Sequence, residues 1–428
     1  MESVMSIIMG FLGGVAALDK VVLVPFVILI LALVFGVKFG TALKSALMMG
    51  GGLLGILTIN AMMVEYMNPV AEGLIANTSA TNDMLDMGMT AMFGAVVSLP
   101  FFIFLYPIGI VVNLILLSVK WTKTIDVDFL TYFSFLLPVI PIYLLTGSVV
   151  ATLIGFIVFF ALCLKIADWT APMVKDYYGV DGISIPHASC GFQAVYVIPL
   201  NWLLDKIPGI NKINFTLGDV KKKLGVLGEP AVISFLIGFI LGLFARLGFG
   251  SAIEVGIGLS ATVYLFPKAI GIMMEGLTPI SKQMRDVMTK RYKRDDVYMG
   301  MDAAIFSGYP EVVTLQAICI PIALLCYFFL PGSRVLPTAE SLQIAIVIGM
   351  ILPFAGPKGK KGNVFRTILI FTILTIAATY VCTYVSPMVT NLCRNTGFEL
   401  AEGQVVTSFG MRDPQTGLIY WVMKLLGY

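Results

Sequence analysis

Ten stretches of the chain are poor in charge and close to the length of a membrane-crossing helix: 21–37, 45–63, 96–119, 129–145, 147–164, 230–247, 251–273, 311–331, 341–355 and 367–387. A spanning helix needs about 20 mostly apolar residues. Four further stretches, 64–95, 181–204, 299–310 and 395–424, mix apolar residues with Gly, Pro and Asn. They predict re-entrant hairpins, because irregular backbone is tolerated at membrane depth only where it lines a cavity. The first 17 residues are apolar, lack a basic leader and run into Asp19 and Lys20. They predict an interfacial helix over residues 1–20 rather than a cleaved signal.

Composition agrees. Only 12% of the 428 residues are charged and mean hydropathy is +0.94, against roughly 25% charged residues in a soluble domain. The balance of 28 Lys and Arg against 25 Asp and Glu excludes a nucleic-acid binder. Six loops, 38–44, 120–128, 165–180, 205–229, 276–298 and 356–366, carry 21 of the 28 basic residues. If ten spans alternate, all six fall on one side, which the positive-inside rule makes cytoplasmic. Residue 1 then starts outside.

The two halves repeat weakly but in order. Phe39-Gly-Thr-Ala-Leu43 resembles Phe249-Gly-Ser-Ala-Ile253, and Met87-Gly-Met-Thr-Ala91 resembles Met299-Gly-Met-Asp-Ala303. Pro107-Ile108 meets Pro321-Ile322, and Gly147, Val149, Thr152 and Phe156 meet Gly362, Val364, Thr367 and Phe371. Five spans per half is an odd number, so the second half enters with opposite polarity. Inverted repeats are a transporter architecture, with substrate held near the midplane. The expected fold is an all-α polytopic membrane protein of about 10–11 helices. Its parts are the N-terminal helix (1–20), a first repeat (21–204), a cytoplasmic linker (205–229) and a second repeat (230–428).

Ionisable residues at membrane depth are the default site candidates. Gly182-Ile-Ser-Ile-Pro-His187 holds the only histidine, with Ser184, Ser189 and Gln193 nearby. Imidazole and amide groups donate and accept hydrogen bonds without needing charge, which suits a polyhydroxylated ligand. The competing reading is a packing histidine held by hydrogen bonds. His187 with Cys190 lacks a third metal ligand, so neither a metal nor a cofactor is expected, and no residue is assigned to catalysis. Asp302 in Gly300-Met-Asp302, Glu311 after it and Asp86 in the first half are the carboxylates placed to bind hydroxyls or carry protons. Helix capping by Asp302 is the plainer alternative. A carrier coupled to protons or sodium, moving a polyol or sugar acid, would use one of these acids. The run Arg285 to Arg294 reads as a solvated loop.

At these residues the chain resembles the galactitol-type membrane component (IIC) of the bacterial phosphoenolpyruvate-dependent sugar phosphotransferase system. The matching stretches include Asp181-Gly-Ile-Ser-Ile-Pro-His187, Lys206-Ile-Pro-Gly-Ile-Asn-Lys-Ile213, Leu227-Gly-Glu-Pro230 and Gly276-Leu-Thr-Pro-Ile-Ser-Lys-Gln283. Gly300-Met-Asp302, Pro331-Gly-Ser-Arg-Val-Leu-Pro337 and Gly362-Asn-Val-Phe-Arg-Thr367 continue the series in family order. The resemblance implies a fold shared with ascorbate-type IIC proteins: a homodimer in the inner membrane, with a scaffold domain and a mobile, elevator-type core. It implies a hexitol substrate such as galactitol and cytoplasmic IIB and IIA partners. A IIB phosphocysteine would supply the phosphoryl group, so this chain alone does no chemistry. The substrate residues carried over are His187, Asp302 and Asp86, with Glu229 and Gln283 beside them. The chain departs from the family pattern at Gly308-Tyr-Pro310, where Gly-His is expected; the resemblance also implies a further hydrophobic segment after Gly417–Leu426, where the sequence given stops at Tyr428.

Overall fold

A computed structural model of the chain describes residues 20–77, 84–87, 92, 95–96, 99, 101–126, 129–292, 294, 296–336, 341–396, 400 and 402–428. The N-terminal helix expected over 1–20 lies almost wholly outside the described residues. The helices are α1 (Lys20–Val34), α2 (Phe39–Asn77), α3 (Phe102–Ser118), α4 (Phe129–Leu136), α5 (Ile140–Thr146), α6 (Val149–Tyr178) and α7 (Ala194–Lys206). Then come α8 (Leu217–Leu224), α9 (Pro230–Phe244), α10 (Phe249–Tyr292), α11 (Pro310–Phe329), α12 (Ser341–Ile351), α13 (Val364–Asn395) and α14 (Pro414–Leu425).

Each of the ten apolar stretches falls on helix, but helix and span are not the same thing. Among the described residues four helices are long and apolar enough to cross a membrane, within α6, α10, α11 and α13. A fifth results if α8 and α9, bent by 71°, form one broken span. The stretch 129–145 is split into α4 and α5 around Leu137-Pro138, and α12 stops before Leu352-Pro353. In both places proline removes a backbone donor and clashes with the preceding turn. Expectations of non-helical backbone are corrected at four places: α2 takes in residues 39–44 and continues through 64–77, α6 runs through 165–178, and α10 runs through the basic run to Tyr292. Lys, Gln, Met and Arg are good helix formers, so the charges of that run change its solvation and not its backbone. At 44 residues, α10 is about 66 Å long, twice a bilayer core.

Small residues set the closest helix contacts, as expected where lipid removes the hydrophobic drive for association. A Cβ on Gly52 of α2 would lie 2.6 Å from the Met273 Cβ of α10, and one on Gly242 of α9 would lie 2.6 Å from the Ala252 Cα. A second core is aromatic, with Tyr132, Phe135, Phe156 and Phe160 packed ring against ring.

Among the described residues two small parallel sheets, which the helical period did not foresee, join the halves. One has the order β2 (Thr124–Asp126), β4 (Tyr298–Gly300), β3 (Ile183–Ser184); the other has β5 (Val335–Leu336), β1 (Met84–Asp86), β6 (Val406–Thr407). Each central strand therefore comes from the half that does not supply its flanks. Ile125 and Ile183 both pair with Met299, and Leu85 pairs with both Leu336 and Val406. The order of elements also recurs. β3 leads through a 3-10 turn at Gly191–Gln193 into α7, and β6 leads through one at Phe409–Met411 into α14.

Candidate functional site

The parallel register explains how residues 115 apart in sequence meet. Ser184 and Gly300 are paired strand ends, so the chain leaves β3 toward Pro186-His187 and leaves β4 toward Met301-Asp302 at the same edge. Ligand sites in parallel sheets lie beyond this carboxyl edge. Gly300 permits the approach, since a Cβ there would lie 2.8 Å from the Pro186 Cγ and 2.9 Å from the Asp126 Cα. Gly300→Ala is expected to push Pro186-His187 off the strand. A lowered melting temperature and a weakened ligand affinity in the same variant would show it.

His187 Nε2 lies 3.4 Å from Asp302 Oδ2, and the two side chains are 12% and 15% exposed. The backbone N–H of Ser189 donates to His187 Nδ1 at 3.1 Å, so the ring proton sits on Nε2 and faces the carboxylate. Asp302 Oδ1 accepts from Ala304 N–H at 2.8 Å, capping the 3-10 turn Ala303–Phe306. Both plain alternatives, capping and a hydrogen-bonded histidine, are thus present, in a pair that remains partly open.

Asp302 supplies the third ligand that His187 and Cys190 lacked in the sequence: nitrogen, sulfur and carboxylate oxygen lie within 4.8 Å of one another. The tautomer argues against a metal there. A metal on Nε2 would require Nδ1 to carry the proton and donate it outward, yet Nδ1 accepts from Ser189 N–H.

The other sequence candidates are dispersed. Ser184 is fully buried and shares a 2.8 Å hydrogen bond with Thr124 Oγ1, inside the sheet. Gln193 is buried and donates to the Ser189 carbonyl. Asp86 is fully buried at the end of β1, in the neighbourhood of Arg412, Tyr327 and Cys382. Glu229 pairs with Lys221 at 2.9 Å. With Glu311, Tyr264 and Lys268 these two line a separate cleft of about 510 Å³ that includes neither His187 nor Asp302. Gln283 donates to the Phe35 carbonyl at 3.2 Å, joining α10 to the end of α1.

Residues that the sequence reading did not single out cluster where the two hairpins meet. Tyr196 donates to Gln415 Oε1 at 2.7 Å, and Gln415 Nε2 donates to the Ala188 carbonyl at 3.0 Å, one residue from His187. Arg412 and Asp413 are buried beside them. An adjacent Arg-Asp pair in a stretch expected at membrane depth was the available signal.

Comparison with known proteins gives a consistent result. The family profile EIIC-GAT, described as the PTS system sugar-specific permease component, matches residues 6–403. The galactitol-specific EIIC component of the PTS system from Escherichia coli K12 is 27% identical over 407 residues, covering 95% of this chain and 89% of that protein. A putative permease IIC component of the same strain is 29% identical over 387 residues, covering 90% of this chain and 87% of that one. The chain belongs to the EIIC-GAT family, the galactitol-type membrane components of the sugar phosphotransferase system.

Proposed function

We propose that this chain is the IIC permease of a polyol phosphotransferase system in the bacterial inner membrane, moving galactitol or a similar hexitol. The family match over residues 6–403 carries the proposal, and the His187–Asp302 pair gives it a site. A hexitol presents several hydroxyls and no charge. It asks for donors and acceptors fixed at short range, which an imidazole N–H beside a carboxylate provides. Asp86, Gln193 and Ser184, all buried, are the further substrate candidates, with Glu229, Glu311 and Gln283.

The transport reading is an elevator-type motion of a core domain against a scaffold in a homodimer. Two inverted repeats, 21–204 and 230–428, meet across the linker 205–229, and residue 1 lies outside. The exchange of central strands between the two sheets and the recurring hairpin order support the repeats. Phosphorylation is assigned to a cytoplasmic IIB phosphocysteine charged by IIA, with no chemistry by this chain alone. A calorimetric screen of hexitols and pentitols on the purified protein tests the substrate class. Saturable binding of at least one hexitol is expected; binding of charged sugar acids alone would refute it.

A further inference from the structure

The cleft of about 510 Å³ between α8, α9, α10 and α11 lies at one boundary of the membrane. The close pairs Gly238–Gly256 and Gly242–Ala252 set α9 and α10 antiparallel, which brings Pro230, the first residue of α9, level with Tyr264. At that level the chain bends by 71° into α8, whose Lys221, Lys222 and Lys223 are exposed. Lys268 stands 19 residues past Phe249, the start of α10, or roughly 28 Å along the helix axis. The hydrocarbon core is about 30 Å thick, so the cleft sits at the level of the lipid headgroups. It also opens on lipid. Ile257, Tyr264, Leu265 and Ile272 of α10 are exposed, and their spacing puts them on the face that carries Lys268.

The charges in the walls select the occupant. Lys221 and Glu229 pair at 2.9 Å and answer each other. The side chains of Lys268, exposed, and Glu311, half-buried, make no hydrogen bond or ion pair with any described residue. An ammonium offers only donors and a carboxylate only acceptors. An anion would answer Lys268 and be repelled by Glu311, and a cation would do the reverse. A neutral polyol would leave both without a counter-charge. A headgroup with a phosphate and a primary ammonium a few bonds apart answers both. Basic pockets between spanning helices are sites for phospholipid headgroups, and Lys and Tyr reach the headgroup layer from an apolar helix face.

We propose that this cleft holds the headgroup of an aminophospholipid of the phosphatidylethanolamine type. Lys268 Nζ takes the phosphate, and the Glu311 carboxylate takes the ammonium. This lipid site stands apart from the polyol reading of His187 and Asp302, neither of which lines the cleft.

The test is titration of the purified full chain, stripped of lipid in detergent, with phospholipids of identical acyl chains, read by native mass spectrometry. Phosphatidylethanolamine is expected to bind at least fivefold more tightly than phosphatidylcholine, whose quaternary ammonium has no N–H to donate. The same margin is expected over phosphatidylglycerol, whose headgroup brings no cation to Glu311. In Glu311→Gln the preference over phosphatidylcholine is expected to shrink below twofold. Lys268→Met is expected to weaken both of these lipids at least fivefold. Lys282→Met, which removes an exposed cation of α10 outside the cleft, is expected to change neither. Equal binding of the ethanolamine and choline lipids to the wild type, or tighter binding of phosphatidylglycerol, would overturn the proposal whether or not the variants fold. So would a loss in Lys282→Met as large as that in Lys268→Met, the mark of unspecific charge adsorption. Displacement of the lipid by galactitol would assign the cleft to the polyol and overturn the lipid site as well.

Discussion

His187→Ala is expected to weaken hexitol binding by about tenfold to a hundredfold and to leave a folded protein. The imidazole is the donor that faces Asp302 Oδ2 across 3.4 Å. Its removal takes away a ligand contact and leaves a largely buried carboxylate short of a partner. Hydrogen bonds to charged groups are worth roughly 1.5–3 kcal/mol, about one to two decades in affinity. His187→Gln keeps an N–H donor at similar reach and is expected to recover part of the loss. Unchanged affinity in His187→Ala, with an unchanged elution volume, would remove His187 from the site.

The largest effect on stability is expected at the opposite end of α7. Arg366 is fully buried, with its Nη2 2.8 Å from Asp205 Oδ1. Its Nη1 donates to Asn201 Oδ1 at 3.0 Å. These contacts tie the helix that follows the His187 hairpin to the first turn of α13. Asp205→Ala leaves a guanidinium buried without its counter-ion. Loss of one partner costs about 3–5 kcal/mol when both are buried; Asp205 is 27% exposed, so about 2–3 kcal/mol is the fitting figure. For a chain of this length that is a melting-temperature fall of roughly 2–4 °C in detergent. Asp205→Leu combined with Arg366→Met is expected to restore most of it, since apolar side chains of similar volume often replace a buried pair without loss. A double variant as unstable as Asp205→Ala would contradict the pairing.

Much of the helical architecture was legible in the sequence because hydropathy is a local property. Each of the ten apolar stretches carries helix among the described residues, but only four helices, or five with the bent pair, are long and apolar enough to cross a membrane. The sheets were not legible, because strands of two or three residues carry no period, and their partners lie far away in sequence. That hid the main organising fact of the site, the side-by-side exit of β3 and β4 that brings His187 to Asp302. Both residues were visible singly, as the lone histidine and as an acid after Gly300-Met301. Their pairing needed the register. Arg366 shows the opposite error. Counted by sequence among the cytoplasmic loop cations, it is the largest fully buried side chain among the described residues. Basic residues near a span end read as solvated unless their counter-ion is known, and Asp205 is 161 positions away. Arg412 and Asp413 were hidden for the same reason: the hairpin they belong to is recognised by its likeness to the Ser184–Gln193 segment, which is one of backbone order and not of residue type.

The central claim is that the polyol crosses as the substrate of a phosphotransferase. Membrane vesicles containing this chain, loaded with phosphoenolpyruvate, the general phosphotransferase proteins and matching IIA and IIB, test it most directly. Accumulation of polyol phosphate inside, dependent on phosphoenolpyruvate and indifferent to a protonophore, is the expected result. Uptake of free polyol that continues without phosphoenolpyruvate and collapses when the proton gradient is dissipated would contradict it.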